Sequence, residues 1–251
     1  MNKKRQRYYD QVLMQLQQRA ESKAVAQTYM TGRGISINGR LLSKSHIVID
    51  ERRIELAEFA HLFWLFDGAS GSTENTDSTG GDGAPPGIYV RSDGPLVHPE
   101  HYIRVGIYKQ MALPSLLINS LFIDHVFLDE NRSPPLMGTV GFILCALAAY
   151  KQGLRSIRLL AAGGVDPRDP EHPYGEDYHG YFIWPKLGFN ARLHWHERFD
   201  KKLWRCRTVQ DVRSIDESIW VARGYQRFMT FDLRPSSISW NVLLDYARTR
   251  V

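Results

Sequence analysis

Leu121-Phe122-Ile123-Asp124-His125-Val126-Phe127-Leu128 reads as a strand, and Gly138-Thr139-Val140-Gly141-Phe142-Ile143-Leu144 as the glycine-bearing opening of a helix. The strand belongs to a longer run, Leu116 to Leu128, that is polar only at Asn119, Ser120, Asp124 and His125. Such a run predicts a mostly buried strand. Residues 137–152 are almost uncharged, which predicts a helix buried on every side. Ser156 to Ala162 is a second apolar strand, closed by Gly163-Gly164. A short helix over 177–184 then leads through Trp184-Pro185-Lys186-Leu187-Gly188-Phe189 to a strand at Ala191 to Trp195. The order strand, glycine turn, helix, strand, helix, strand predicts an α/β (α+β) fold. A glycine-bearing turn that opens a helix exposes backbone N–H groups at the positive end of the helix dipole and suits a pyrophosphate. The same glycines also serve tight packing of a helix on a sheet.

The flanks extend this core. Tyr9, Val12, Leu13, Leu16 and Ala20 recur at helical spacing and predict an amphipathic helix over 6–28. Asn38-Gly39 after Ile35-Ser36-Ile37 predicts a tight hairpin, with a return strand from Leu41 into His46–Ile49. A helix is expected over 54–66. Residues 68–87 hold no large apolar side chain and predict a mobile insertion. Ile88-Tyr89-Val90 resumes strand character, and His101 to Tyr108 alternates apolar and polar residues like a half-buried strand. A polar loop spans 166–175. Two helices close the chain, over 208–224 and 236–248, the second capped by Ser236 or Ser237. The expected organisation is one domain over 1–251.

With 43% apolar and 24% charged residues in 251, the composition is that of an ordinary globular chain, which excludes wholesale disorder, collagen and coiled coil. Lys+Arg 32 against Asp+Glu 27 leaves a net charge of +5, which permits an anionic partner and demands none. Two cysteines, Cys145 and Cys206, exclude a disulfide framework and a cysteine zinc cluster and fit a reducing, cytoplasmic setting. The uncharged stretch from Ser133 is broken by Pro134, Pro135, Gly138 and Gly141. Its apolar part is shorter than the roughly 20 residues a bilayer needs, so no membrane partner is expected. His194 and His196 would share a face of a strand, yet a third metal ligand would have to come from elsewhere, and no metal is expected. Lys3, Lys4, Arg5 and Arg7 form one basic cluster, and Lys201, Lys202, Arg205, Arg207 and Arg213 a looser one that suits an acidic substrate.

Residues 121–195 resemble the acetyl-CoA-binding half of the GNAT acyltransferase superfamily. In that family a strand ends in an Arg/Gln-x-x-Gly-x-Gly/Ala turn, a helix and a second strand follow, and a further helix ends in a Tyr-x-Lys-x-Gly-Phe-like phrase. Phe127 to Arg132 looks like the strand end and leading arginine, Gly138 to Leu144 like the turn, and Trp184 to Phe189 like the closing phrase. The resemblance implies a GNAT-like mixed, mostly antiparallel sheet flanked by helices, with extra N- and C-terminal helices. It also implies acetyl-CoA as co-substrate and transfer of an acyl group to an amine, which could be a small molecule, a protein or an aminoacyl-tRNA. The cofactor would lie on Phe127, Leu128, Arg132, Gly138, Thr139, Val140, Gly141 and Phe142. Two departures stand out. About four extra residues separate Arg132 from Gly138, and Trp184 replaces a tyrosine that protonates the leaving thiolate.

Acyl transfer needs a base, a polarised thioester oxygen and an acid. Asp124 and His125 are the candidate bases and point to opposite faces of their strand, so one of them at most faces a cleft. Phe127 and Leu128, with Val126 adjacent, would supply backbone N–H groups to the oxygen. Tyr181, one turn before Trp184, and Tyr178 are the candidate acids. The alternative is a catalytically silent GNAT-like module that binds a protein or nucleic acid.

Overall fold

Residues 137–151 carry no polar face, so the chain must cover them from every direction, and the rest of the fold does so. In the computed structural model the described residues are all but 1, 2, 44, 50, 51, 78–82, 114, 115, 166–177 and 200. The chain begins with helices α1 (Lys3–Glu21) and α2 (Ala24–Tyr29), one predicted helix broken near Ser22. Next come β1 (Ser36–Ile37) and β2 (Arg40–Leu41), then β3 (His46–Ile49) and β4 (Arg52–Glu55). Asn38 and Gly39 both take positive φ, 51° and 72°, as the hairpin reading requires. The return strand does not run on into His46–Ile49. Those residues pair with Arg52–Glu55 in a separate two-stranded sheet, so α3 starts late, at Leu56–Leu62.

The stretch 68–87 is corrected in part. Ser70–Thr76 forms β5, paired antiparallel with β6 (Gly87–Asp93) and parallel with β1. Its small polar side chains cover no core, and its pairing with β6 and, over its first two residues, with β1 makes it a strand. Residues 78–82 lie outside the described residues. β7 (Ile103–Leu113) and β8 (Leu116–His125) complete an antiparallel meander, and α4 (Met137–Lys151) crosses to β9 (Ser156–Gly164), which is parallel to β8. Then follow α5 (Gly180–Lys186), a 3₁₀ turn at Trp195–Phe199, α6 (Val209–Ile215) and α7 (Glu217–Arg223). Last come β10 (Tyr225–Asp232) and α8 (Ile238–Arg250).

The main sheet has the order β10-β9-β8-β7-β6-β5-β1-β2 and is mostly antiparallel, with helices beside it. Two readings near its C-terminal edge are corrected. The expected helix over 208–224 is two helices, because the Asp216 side chain accepts from the Ser218 amide and caps a new start. Tyr225–Asp232, not anticipated as a strand, alternates buried Arg227, Met229 and Phe231 with more open neighbours and pairs with β9. The predicted strand at 191–195 shrinks to single bridges, Asn190 to Thr230 and Arg192 to Thr208. Ser237 caps α8 through the Trp240 amide. Among the described residues no helix is long and apolar enough to cross a membrane.

Eleven residues of α4 are buried. The sheet lies on one side, with Leu121, Ile123, Ile157 and Leu159 in the same core, and α1, α2 and α3 pack on the others. Phe142 meets Trp184, Phe189 and Phe231 at ring separations of 5.9, 5.1 and 5.4 Å. At the junction of α2 and α3, His61 Nε2 lies 2.8 Å from the Met30 carbonyl oxygen and donates to it. Desolvation holds the His61 pKa below its ordinary value. The unfolded chain therefore binds the proton at a higher pH than the native one: burying the neutral ring costs nothing in charge above about pH 6.5, and stability is lost as pH falls through the lowered native pKa, while the Met30 hydrogen bond partly opposes the shift. Chemical unfolding across about pH 7.5 to 5.5 (roughly one unit either side of a free histidine) should show wild type losing stability on acidification. His61→Gln, which keeps a donor but cannot titrate, should show a flatter profile.

Candidate active site

β8 and β9 are parallel partners over three residue pairs only, Leu121 with Ile157, Phe122 with Arg158 and Ile123 with Leu159. Beyond Ile123 the strands part, because β8 follows β7 and then the 96–98 segment. The Phe127 carbonyl accepts from the His98 amide at 3.1 Å, and the Asp129 amide donates to Leu96 at 3.0 Å. The gap is a cavity of about 610 Å³. Residues 123–128 form one wall, Leu159, Leu160 and Ala162 the other, and the start of α4 its end.

Several predicted residues meet there. Asp124, His125, Phe127, Leu128, Gly138, Thr139 and Tyr178 all line the cavity. Gly138 has room, since a Cβ would meet only Leu128 Cδ1, at 3.8 Å. The N-cap residue Leu136 gives α4 no side-chain acceptor, and its first turn holds no acidic residue. Met137 N–H goes to Pro134 and Val140 N–H to Leu136, while the amides of Gly138 and Thr139 open at the cavity end with no side-chain cap. That is the arrangement an anion needs at a helix N-terminus. Pro134, Leu136 and Met137 also line the cavity, so the extra turn residues wall it without filling it.

Other predicted residues are placed elsewhere. Val140 and Phe142 are fully buried in the core, and Gly141 faces Met30 and Trp64, 3.6 Å from where its Cβ would stand. These three hold α4 in place and do not line the cavity. Arg132 donates to Asp129 at 2.5 Å and to the Val97 carbonyl at 3.1 Å, bracing its own turn and keeping the Asp129 carboxyl below the usual carboxylate range. The Tyr181 hydroxyl donates to the Val221 carbonyl at 3.0 Å, outside the cavity lining. In an extended strand alternate residues turn their backbone groups to opposite sides. The Phe127 carbonyl and Asp129 amide bond the 96–98 segment, which puts the Leu128 backbone on the opposite side of the chain.

The two base candidates now differ. Asp124 is paired with Arg104 at 2.7 Å, and Arg104 also holds Glu74 at 2.7 Å while lying 4.0 Å over the Tyr89 ring. Its charge is committed to a partly buried pair. His125 lies on the other face, with Nε2 3.3 Å from His101 Nδ1, and the two rings stack at 5.2 Å. His101 in turn stacks on Phe127 at 4.2 Å and meets His98 at 5.0 Å. His101 and His98 gave no signal in the sequence. They reach His125 because β7 and β8 pair Arg104 with His125, which brings the residues before β7 alongside.

Trp184, where the resemblance has a tyrosine, packs against Phe189, Phe142 and Trp64 at 5.3, 5.9 and 6.4 Å. Burial pushes the Cys145 thiol up to about 12 and raises Cys206 as well, so neither supplies a thiolate nucleophile. His194 and His196 stack at 5.7 Å, and among the described residues no three His, Cys, Asp or Glu side chains converge on a metal position. No family model matches this chain, and neither does any curated protein or solved structure.

Tyr178 is held at the cavity by its own backbone. A Cβ on Gly163, whose φ is +93°, would stand 1.7 Å from the Tyr178 carbonyl oxygen, so only glycine allows the approach. Gly153 also has positive φ, +70°, but its Cβ would meet nothing within 4 Å. Gly153→Ala should cost about 1 kcal/mol from backbone strain alone, and Gly163→Ala about 2–4 kcal/mol from strain plus the displaced Tyr178 segment, measured by urea unfolding.

Proposed function

We propose that this chain transfers an acyl group, acetyl in the simplest case, from acyl-CoA to an amine. The observation that carries the reading is the parting of β8 and β9 beside the uncapped N-terminus of α4. A thioester cofactor presents a pyrophosphate, an extended arm with two amides and a reactive carbonyl, and the cavity offers a counterpart to each. The pyrophosphate would sit at the Gly138 and Thr139 amides. The arm would run between the separated strands and pair its amides with backbone groups of residues 126–128, as a missing strand would. The volume lies within the usual range for small-molecule sites. The reading also rests on the GNAT resemblance, whose strand, turn, helix, parallel strand and helix follow one another here in that order.

In this reading His125 takes the proton from the amine, directly or through a water, and becomes an imidazolium whose ring His101 holds in place by hydrogen bond. The Leu128 amide, with that of Val126, faces the thioester oxygen as negative charge develops on it. Tyr178 returns a proton to the leaving thiolate. Asp124 serves Arg104 and takes no part in the proton transfer. Pro134 and Met137 on the cavity wall, with the Trp184 indole beside them where the resemblance has an acid, favour a second reading: a silent scaffold of the same shape. Cofactor binding separates the two.

Acetyl-CoA at about 100 times its Kd should stabilise the protein by about 2.7 kcal/mol, seen as a rise of several degrees in Tm. Gly138→Asp should remove that rise by setting a carboxylate at the phosphate position while leaving the unliganded Tm near that of wild type. A wild-type protein whose Tm is indifferent to millimolar acetyl-CoA would decide for the silent scaffold.

For turnover, thiol release with an amine acceptor should fall ~10²–10⁴-fold in His125→Gln and in Tyr178→Phe, the usual contribution of a placed acid or base. Tyr181→Phe should keep the wild-type rate, because that hydroxyl is bound to Val221.

A further inference from the structure

Besides the N-terminal cluster, one interior stretch carries a strong excess of positive charge. Residues 190–207 hold six basic residues (Arg192, Arg198, Lys201, Lys202, Arg205 and Arg207) and two acidic ones (Glu197 and Asp200), a net +4 within a whole-chain total of +5. All six basic residues are exposed. Glu197 does not offset them, because it is spent inward on the buried Arg227 at 2.6 Å. The described residues on either side of position 200 are anchored. Leu193, Leu203 and Cys206 are buried, the Leu193 amide donates to Arg207 at 2.9 Å, and Arg192 bridges to Thr208.

Large aromatic rings stand among these charges. Trp195 is 72% exposed and Trp204 58%, uncommon for indoles on a protein surface. The Arg205 guanidinium lies 4.5 Å over the Trp204 ring, and His194 and His196 stack 5.7 Å apart with His194 stacked on Tyr225 at 6.0 Å. The same segment overhangs a second cavity, of about 470 Å³. Leu193, Leu203, Val212, Ile219 and Trp220 give it apolar walls, and His196, Arg223 and Tyr225 add polar groups.

We infer that the surface of residues 192–207, with the cavity beneath it, binds single-stranded nucleic acid. The cations match the phosphate backbone, the exposed indoles offer faces for bases to stack on, and the apolar cavity suits one unstacked base. An acidic peptide would use the cations but has no need of the indole faces. A duplex keeps its bases stacked away from both the indoles and the cavity. The inference stands apart from the acyl-transfer reading, since neither the residues nor the cavity are shared with it.

The test is fluorescence anisotropy of a labelled oligouridylate of about 12 nucleotides, with the full chain. Binding should weaken ~10²-fold between about 50 and 200 mM salt, as expected when about five phosphates are neutralised on a single strand. Trp195→Ala and Trp204→Ala should each weaken it about tenfold with Tm unchanged. Lys201→Glu with Lys202→Glu should weaken it further and flatten the salt dependence, and a duplex of equal length should bind less tightly. Three results would overturn the inference: no binding at low salt, equal competition by poly-glutamate, or indole substitutions without effect. The last two would assign the surface to an acidic protein partner. Loss of oligouridylate binding with acetyl-CoA stabilisation intact would leave the acyl-transfer reading standing, and the converse holds as well.

Discussion

A helix without a polar face is the constraint on which this structure depends. α4 buries eleven of its fifteen residues, and burial of that kind is tolerated only when apolar groups meet it on every side. A single sheet can cover one side. The N-terminal helices α1, α2 and α3 supply the rest, with Met30 and Trp64 resting where Gly141 leaves room and Leu62 accepting the Cys145 thiol proton at 3.6 Å. The aromatic cluster of Phe142, Trp184, Phe189 and Phe231 then ties the helix to α5 and β10. Trp184 is therefore a packing residue first, which is the physical reason an acid cannot be found there.

Anchoring α4 so firmly fixes its N-terminus against the end of β8, and the cavity follows. After three pairs with β9, the chain of β8 turns its backbone toward the 96–98 segment. The parting leaves the backbone of Val126 and Leu128 on the side away from the 96–98 segment, along the cavity wall. Such groups are costly to bury unpaired, so an opening of this kind is either wetted or filled by a ligand with matching amides. The approach of Tyr178 to Gly163 closes the far side and places its phenol, which lines the cavity together with that of Tyr246, close to Phe127, at a ring separation of 6.1 Å.

The cationic rim around residues 192–207 lies in a different part of the molecule, with α5 packed between the two regions. Ile183, Trp184 and Leu187 turn toward the first cavity, while the Tyr181 carbonyl accepts from Trp220 Nε1 at 2.8 Å on the side of the second. Arg227, held by Glu197 and lying 4.8 and 4.3 Å over the Trp220 and Tyr225 rings, forms the floor on which that second region rests. A buried ion pair of this kind adds little net stability but fixes orientation, because each charge is costly without its partner.

The order of elements from Leu116 to Phe189, the buried helix, the Asn38-Gly39 hairpin and the placement of His125, Leu128, Gly138 and Tyr178 near one site were legible in the sequence, because local pattern and short-range order determine them. Apolar periodicity tells a helix which face to bury, and positive φ tells a turn which residues to use. What the sequence could not decide were facts of pairing between distant segments. Ser70–Thr76 becomes a strand only because β6 and β1 are there to bond it, and Tyr225–Asp232 because β9 has a free edge. Asp124 and His125 are equivalent candidates by position, and the fold separates them by giving one Arg104 from β7 and the other His101 from the segment before it. Gly141 and Gly138 look alike in the chain, yet α4 is rotated so that one meets Trp64 and the other the cavity. Rotation, register and long-range partners are set by packing the whole core at once, and no local stretch of residues carries that information.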